Sequence, residues 1–290
     1  MDKKKRLAIY LAAALVIFTL PKLGLSAYHL RVVNLAQVYI IMALGFNIIV
    51  GFAGQTSFAH AAFYAIGAYT AAILSVKYGV PFWLELIAAV LITAFFAVIV
   101  GIPTLKLEGR YLSMATIGMS EIVRLVLLNT PSLSYGADGI RNIPYPKILG
   151  FAFNNDFRFY YLLLAFVIAT IIFNYRLKNS RIGRAFGAIK ENTLGAELMG
   201  VPTTFNKVLA FALSAAVTGI GGVLFAHLMA YIHPDIFTFA ESAKVLSMVF
   251  LGGAGTITGP VVGAVLLTFL PEFLRVLQDY YMIIYAAAVI

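Results

Sequence analysis

Leu86-Ile87-Ala88-Ala89-Val90-Leu91-Ile92-Thr93-Ala94-Phe95-Phe96-Ala97-Val98-Ile99-Val100 is apolar on every side of whatever element it forms, with one threonine as its only polar side chain. A transmembrane barrel strand alternates apolar and polar positions, and this run does not. A helix satisfies its backbone hydrogen bonds internally, so the run reads as a membrane-spanning helix. Tyr160 to Phe173 reads the same way.

Working outward, 62% of the 290 residues are hydrophobic and 11% are charged, which leaves too little polar surface to coat a water-soluble globule. Spans of about 20 residues are predicted near Leu7–Leu25, Val32–Phe52, Phe58–Val76, Trp83–Leu105, Tyr111–Leu128, Phe159–Tyr175 and Val208–Met229. The tract Ala243–Leu270 is broken by glycines and fits two short helices or a re-entrant pair. The expected fold class is an all-α polytopic membrane protein with about 8–10 transmembrane or re-entrant helices, in a single domain over residues 1–290. Beyond Glu272, Arg275 and Asp279, only about ten apolar residues precede Ile290, so the sequence is expected to stop within its last helix.

The net charge of +9 lies in the connections. Lys3-Lys4-Lys5-Arg6 precede the first apolar run, which reads as a retained helix with a cytoplasmic N-terminus. Residues 176–207 hold Arg176, Lys178, Arg181, Arg184, Lys190 and Lys207 against Glu191 and Glu197, and so read as cytoplasmic too. The proline-rich stretch 129–158 then falls outside and is long enough to cover the mouth of a pathway. A basic balance of this kind reports topology, and a nucleic-acid partner is not expected. Without cysteine there is no disulfide or thiolate chemistry. The four histidines show no metal-binding spacing, and the glycines of 252–259 are followed by Pro260 where a phosphate loop needs Lys and Ser or Thr. No metal or cofactor is expected in this chain.

A pathway for a polar solute needs polar groups at membrane depth. The candidates are Gln55, Thr56, Ser57, His60 and Tyr64 after one helix break, and Gly252, Gly253, Gly255 and Thr256 at another. Interhelical hydrogen bonding is the competing role for the polar ones. The breaks echo each other, Gly51-Phe52-Ala53-Gly54-Gln55 against Gly252-Gly253-Ala254-Gly255-Thr256, either as a repeat built round a pathway or by chance in a chain rich in glycine and alanine. Glu121 and Arg124, three apart on one helical face, are expected to form a buried ion pair. Ile182, Ala185, Phe186 and Ile189 recur at helical spacing after Ser180, and Leu194–Met199 forms a second short helix before Gly200 and Pro202. This basic knuckle suits a resting place on anionic membrane lipids or a docking element for a partner.

Gly183-Arg184-Ala185-Phe186-Gly187-Ala188-Ile189-Lys190-Glu191-Asn192 with Ala196-Glu197-Leu198-Met199-Gly200-Val201 resembles the EAA-type cytoplasmic loop of branched-chain amino acid ABC permeases. Gly54-Gln55-Thr56-Ser57-Phe58-Ala59-His60, Gly109-Arg110-Tyr111-Leu112 and Leu251-Gly252-Gly253-Ala254-Gly255-Thr256 extend the likeness over nearly the whole chain, closer to the LivM-type than to the LivH-type branch. The loop departs from the familiar signature, with Gly195-Ala196-Glu197 in its neighbourhood. The resemblance implies a non-enzymatic permease subunit in the bacterial inner membrane. Its implied partners are a LivH-type permease, two cytoplasmic ATPases that bind the ATP and Mg, and a periplasmic amino-acid-binding protein. It also implies that Gly183, Arg184, Phe186, Lys190, Glu191, Glu197 and Gly200 belong to the ATPase-coupling loop. The rival from another class is a self-contained secondary transporter or channel for a small polar solute, which would need several ionisable groups at membrane depth.

Overall fold

The computed structural model describes residues 26–104, 107, 109–148 and 151–272, with positions 18 and 21. The helix expected at Leu7–Leu25 otherwise, and the apolar run past Glu272, lie outside these residues. Helix α1 (Ala27–Asn47) starts on the Ser26 cap and passes into a π-helical turn at Ile48–Phe52. Helix α2 (His60–Tyr78) ends on left-handed Gly79, followed by α3 (Phe82–Thr104) and α4 (Arg110–Asn129). Three short strands follow, β1 (Ile140–Arg141), β2 (Lys147–Ile148) and β3 (Phe151–Ala152), before α5 (Asp156–Lys178) begins on its Asn155 cap. Two short helices, α6 (Arg181–Glu191) and α7 (Thr193–Leu198), lead to α8 (Thr203–Met229), β4 (Tyr231–Ile232), α9 (Phe239–Gly252) and α10 (Thr258–Glu272).

Burial separates inner helices from outer ones. In their most apolar stretches, 94% of α1 and 67% of α8 are buried, against 33% of α3, 28% of α4 and 33% of α5. α8 packs along α1, α2 and α3, and α1 is flanked further by α5 and α9. The outer helices turn side chains such as Leu91, Phe95, Ile99 and Ile168 outward, as lipid-facing surfaces do. The inner helices meet through glycines. A Cβ on Gly67 of α2 would stand 2.4 Å from the Gly219 carbonyl oxygen of α8, so the two backbones approach more closely than any larger residue allows.

One end of the bundle, the basic end, carries α6, α7 and the cations of residues 176–207. The other is the sheet end, where β1 pairs with β4 (Ile140 opposite Ile232) and β2 with β3. The long connection after α4 is thereby folded down onto the chain leaving α8.

The boundaries depart from expectation where side chains or proline intervene. α2 starts at His60 and not at Phe58, because the Phe58 amide donates to Thr116 Oγ1 and its carbonyl accepts from Ser120 and Ser242. α8 starts at Thr203, directly after Pro202. The broken tract 243–270 does form two short helices. The Phe237 ring packs on Tyr64 and Tyr69, and Glu241 meets Tyr39 of α1, so α9 begins inside the bundle. Its 14 residues reach about 21 Å, short of the roughly 30 Å of a hydrocarbon core.

Candidate functional site

The two echoing breaks meet at the basic end. Asn47, the last residue of α1, donates from Nδ2 to the Thr256 carbonyl (2.8 Å) and accepts at Oδ1 from the Gly255 amide (2.8 Å). One amide side chain thus pairs with the α9–α10 turn as a strand backbone would. The fit requires glycine on both sides: Gly255 has φ +83°, and a Cβ on Gly51 would fall 2.0 Å from Asn47 Oδ1 and 2.5 Å from the Gly255 nitrogen. Two lysines close the junction. Lys190 Nζ of α6 donates to the Gly51 carbonyl (3.0 Å), and Lys178 Nζ at the end of α5 donates to the Gly255 carbonyl (2.6 Å).

Between the π turn and α2, the polar candidates separate. Gln55 and Thr56 line a cavity of about 210 Å³ with Lys190, Thr193 and Lys207. Gln55 is buried, and neither polar atom of its side chain has a hydrogen-bond partner. Ser57 is also buried, accepting from the Ala59 amide. His60 sits deeper, stacked on Phe46 with centroids 3.7 Å apart. Ser214 Oγ spends its proton on the Gly45 carbonyl, so it must accept from His60 Nε2 (2.7 Å), which fixes the imidazole as the Nε2–H tautomer with Nδ1 unpartnered. Tyr64 is buried with its hydroxyl unpartnered. The sequence candidates therefore divide between a basic-end cavity, the glycine junction of Gly252, Gly253, Gly255 and Thr256, and the bundle core.

The knuckle has a buried and a bare side. Ser180 caps α6 by accepting from the Gly183 amide, while Phe186 and Ile189 are buried beneath the helix. Arg184, Glu191, Glu197 and Gly200 are exposed. So are Leu194, Leu198 and Met199, at 74%, 88% and 85%, which gives a polar loop an apolar tip. Residues of this kind mark contact surfaces. Sequence reading left these three out of the site because helical spacing flags only the residues that pack inward.

The family model described as "Branched-chain amino acid transport system / permease component" matches residues 28–290. The chain belongs to this family. The high-affinity branched-chain amino acid transport system permease protein LivM of Salmonella typhimurium is 36% identical over 299 residues, covering 95% of this chain and 70% of that protein. LivH of the same organism is 28% identical over 261 residues, 81% of each chain. The autoinducer 2 import system permease protein LsrC of Salmonella paratyphi B is 26% identical over 60% of this chain and 49% of its own length. No solved structure matches.

In this permease the expected ion pair forms but is not buried. Arg124 holds Glu121 at 2.5 Å and also Asp235 (2.6 Å), with Glu121 46% and Asp235 59% exposed, so the pair lies at the surface where the loop before α9 meets α4. The buried pair lies elsewhere. His227 Nε2 of α8 meets Glu85 Oε2 of α3 at 2.8 Å, and His227 Nδ1 meets the Pro144 carbonyl at 2.7 Å. Both side chains are 2% exposed. A second omission is Tyr39 of α1 with Glu241 and Lys244 of α9, joined through the tyrosine hydroxyl. A carboxylate inside an apolar run was the available signal for both clusters, since such a group needs a counter-charge or hydrogen bonds.

Proposed function

We propose that this permease forms half of the translocation pathway for a branched-chain amino acid, paired with a LivH-type permease and driven by two cytoplasmic ATPases. A periplasmic binding protein delivers the substrate, and ATP and Mg are held by the ATPases. The basic end and the N-terminus face the cytoplasm, since excess lysine and arginine stay inside. The observation that carries the reading is that the knuckle region grips both helix breaks at once, through Lys190 on Gly51 and Lys178 on Gly255. A push on α6 and α7 then acts directly on a π turn and a glycine turn, the places in the bundle where backbone geometry changes most cheaply. Leu194, Leu198 and Met199 supply the apolar anchor for the ATPase, and Arg184, Glu191 and Glu197 its polar rim, while Lys190 reaches inward to Gly51. The substrate class rests on the relatives at 36% and 28% identity.

Affinity purification from native membranes tests this. Wild type should carry a second permease and a nucleotide-binding subunit. Leu198→Asp, and the pair Arg184→Glu with Lys190→Glu, should keep the former and lose the latter. A chain isolated alone that drives gradient-dependent uptake in liposomes would instead be a self-contained transporter.

A further inference from the structure

An amino acid crossing a membrane carries an ammonium and a carboxylate, and each must meet a counter-charge or be stranded in a medium that solvates it poorly. The bundle places one carboxylate and one ammonium side by side where α9 begins. Tyr39 donates its hydroxyl proton to Glu241 Oε1 at 2.6 Å and accepts from Lys244 Nζ at 2.7 Å, and the lysine nitrogen also lies 4.0 Å over the tyrosine ring. Glu241 and Lys244 are three apart on α9 and so share a face. Both are half-buried, whereas Tyr39 is 5% exposed. Among the described residues neither charge forms a salt bridge; the phenol is what each of them touches.

A second observation points to a ligand here. The Tyr64 hydroxyl is fully buried with no hydrogen-bond partner, and its ring packs on Phe237, just ahead of the start of α9. A buried donor left without a partner is costly, and the charge pair at the start of α9 is held by a single exchangeable phenol. Glu241 also sits in the first turn of α9, where the helix dipole favours a carboxylate.

We infer that Tyr39, Glu241 and Lys244 form a recognition site for the zwitterionic end of the transported amino acid, with its ammonium on Glu241 and its carboxylate on Lys244. Tyr39 satisfies the two charges between turnovers and yields them to the substrate, so each charge keeps a hydrogen-bonding partner throughout. The site deepens the importer reading and rests on it.

The test uses the whole complex in proteoliposomes, with saturating leucine-loaded binding protein, measuring leucine uptake and ATP hydrolysis together. Glu241→Gln and Lys244→Met should lower uptake by about tenfold or more while the loaded binding protein still stimulates ATP hydrolysis. Lys244→Arg should restore most of the uptake. Tyr39→Phe should lower it less than Lys244→Met, because both charges remain and only the group that holds them between turnovers is lost. If the cluster only held α9 to α1, Tyr39→Phe would remove both bonds and fall as low as Lys244→Met, and that result would overturn the site. Undiminished uptake in Glu241→Gln and Lys244→Met, with an active wild type, overturns it as well. A wild-type complex inert toward leucine strikes instead at the importer reading on which the site depends.

Discussion

The two ends of the permease are tied by different chemistry. At the sheet end, α3, α8 and the long connection converge on His227, whose two nitrogens meet Glu85 and the Pro144 carbonyl, with the His227 and Glu85 side chains buried. A carbonyl can only accept, so Nδ1 carries a proton, and a further proton must lie between Nε2 and the carboxylate. At the basic end the ties are lysine arms from exposed or half-exposed positions, bonded to glycine carbonyls. Breaking the first leaves a buried group without its partner; breaking the second returns an ammonium to water. One end is thus a fixed frame, and the other is a joint that can open and reclose.

The sharpest way to break that comparison is at Glu85. Glu85→Ala should cost about 3–5 kcal/mol, the usual loss when one partner of a buried pair is removed, read as a lowered melting temperature of the purified permease in detergent. Glu85→Gln should cost less, because its amide can donate to Nε2 of the neutral Nδ1–H tautomer. If Glu85→Ala melts with wild type, the sheet end is not the frame.

At the joint the largest effect should come from Gly51→Ala. Its methyl group would collide with Asn47 and the Gly255 backbone, an overpacking expected to cost about 1–3 kcal/mol. Uptake should fall far more than that loss of stability explains, since the collision forces the two breaks apart. Equal melting and equal uptake would show that the breaks do not need to touch.

The sequence made some of this visible and hid the rest for a physical reason. Apolar runs such as Leu86–Val100 announce spans, and Ser180 with Phe186 and Ile189 announces the α6 cap and its inner face, because capping and periodicity are local. The breaks at Gly51 and Gly252–Gly255 were visible as breaks. That Asn47 would stitch one to the other was not, since the pattern of one helix does not say which neighbour it packs on. Glu85 and His227 stand 142 residues apart for the same reason. For Glu121 and Arg124 the spacing announced the pair correctly but not its burial, which is set by what else packs against α4.

Removing the lysine ties should matter less to stability than to coupling. Lys178→Met with Lys190→Met deletes two partly exposed hydrogen bonds and should lower stability by about 1 kcal/mol. In proteoliposomes the ratio of leucine taken up to ATP hydrolysed should drop, while hydrolysis itself continues. An unchanged ratio would mean that the knuckle acts on the bundle through its buried Phe186 and Ile189 alone.

The smallest effect should come from Arg124, and it separates position from burial. Arg124 also belongs to the sheet end and ties α4 to the loop before α9, but its partners Glu121 and Asp235 are about half exposed. Water and ions already screen this cluster, so Arg124→Gln should cost no more than about 1 kcal/mol. That cost should shrink when salt is raised from 0.05 to about 0.5 M, as the screening length contracts to a few ångströms. The cost of Glu85→Ala should stay constant over the same range, because ions do not reach it. If both variants respond alike to salt, the two ends differ only in how many bonds they make, and the frame would be a property of the whole sheet end. If only Arg124→Gln responds, rigidity resides in the one dehydrated pair, and the rest of the sheet end is held in place around it.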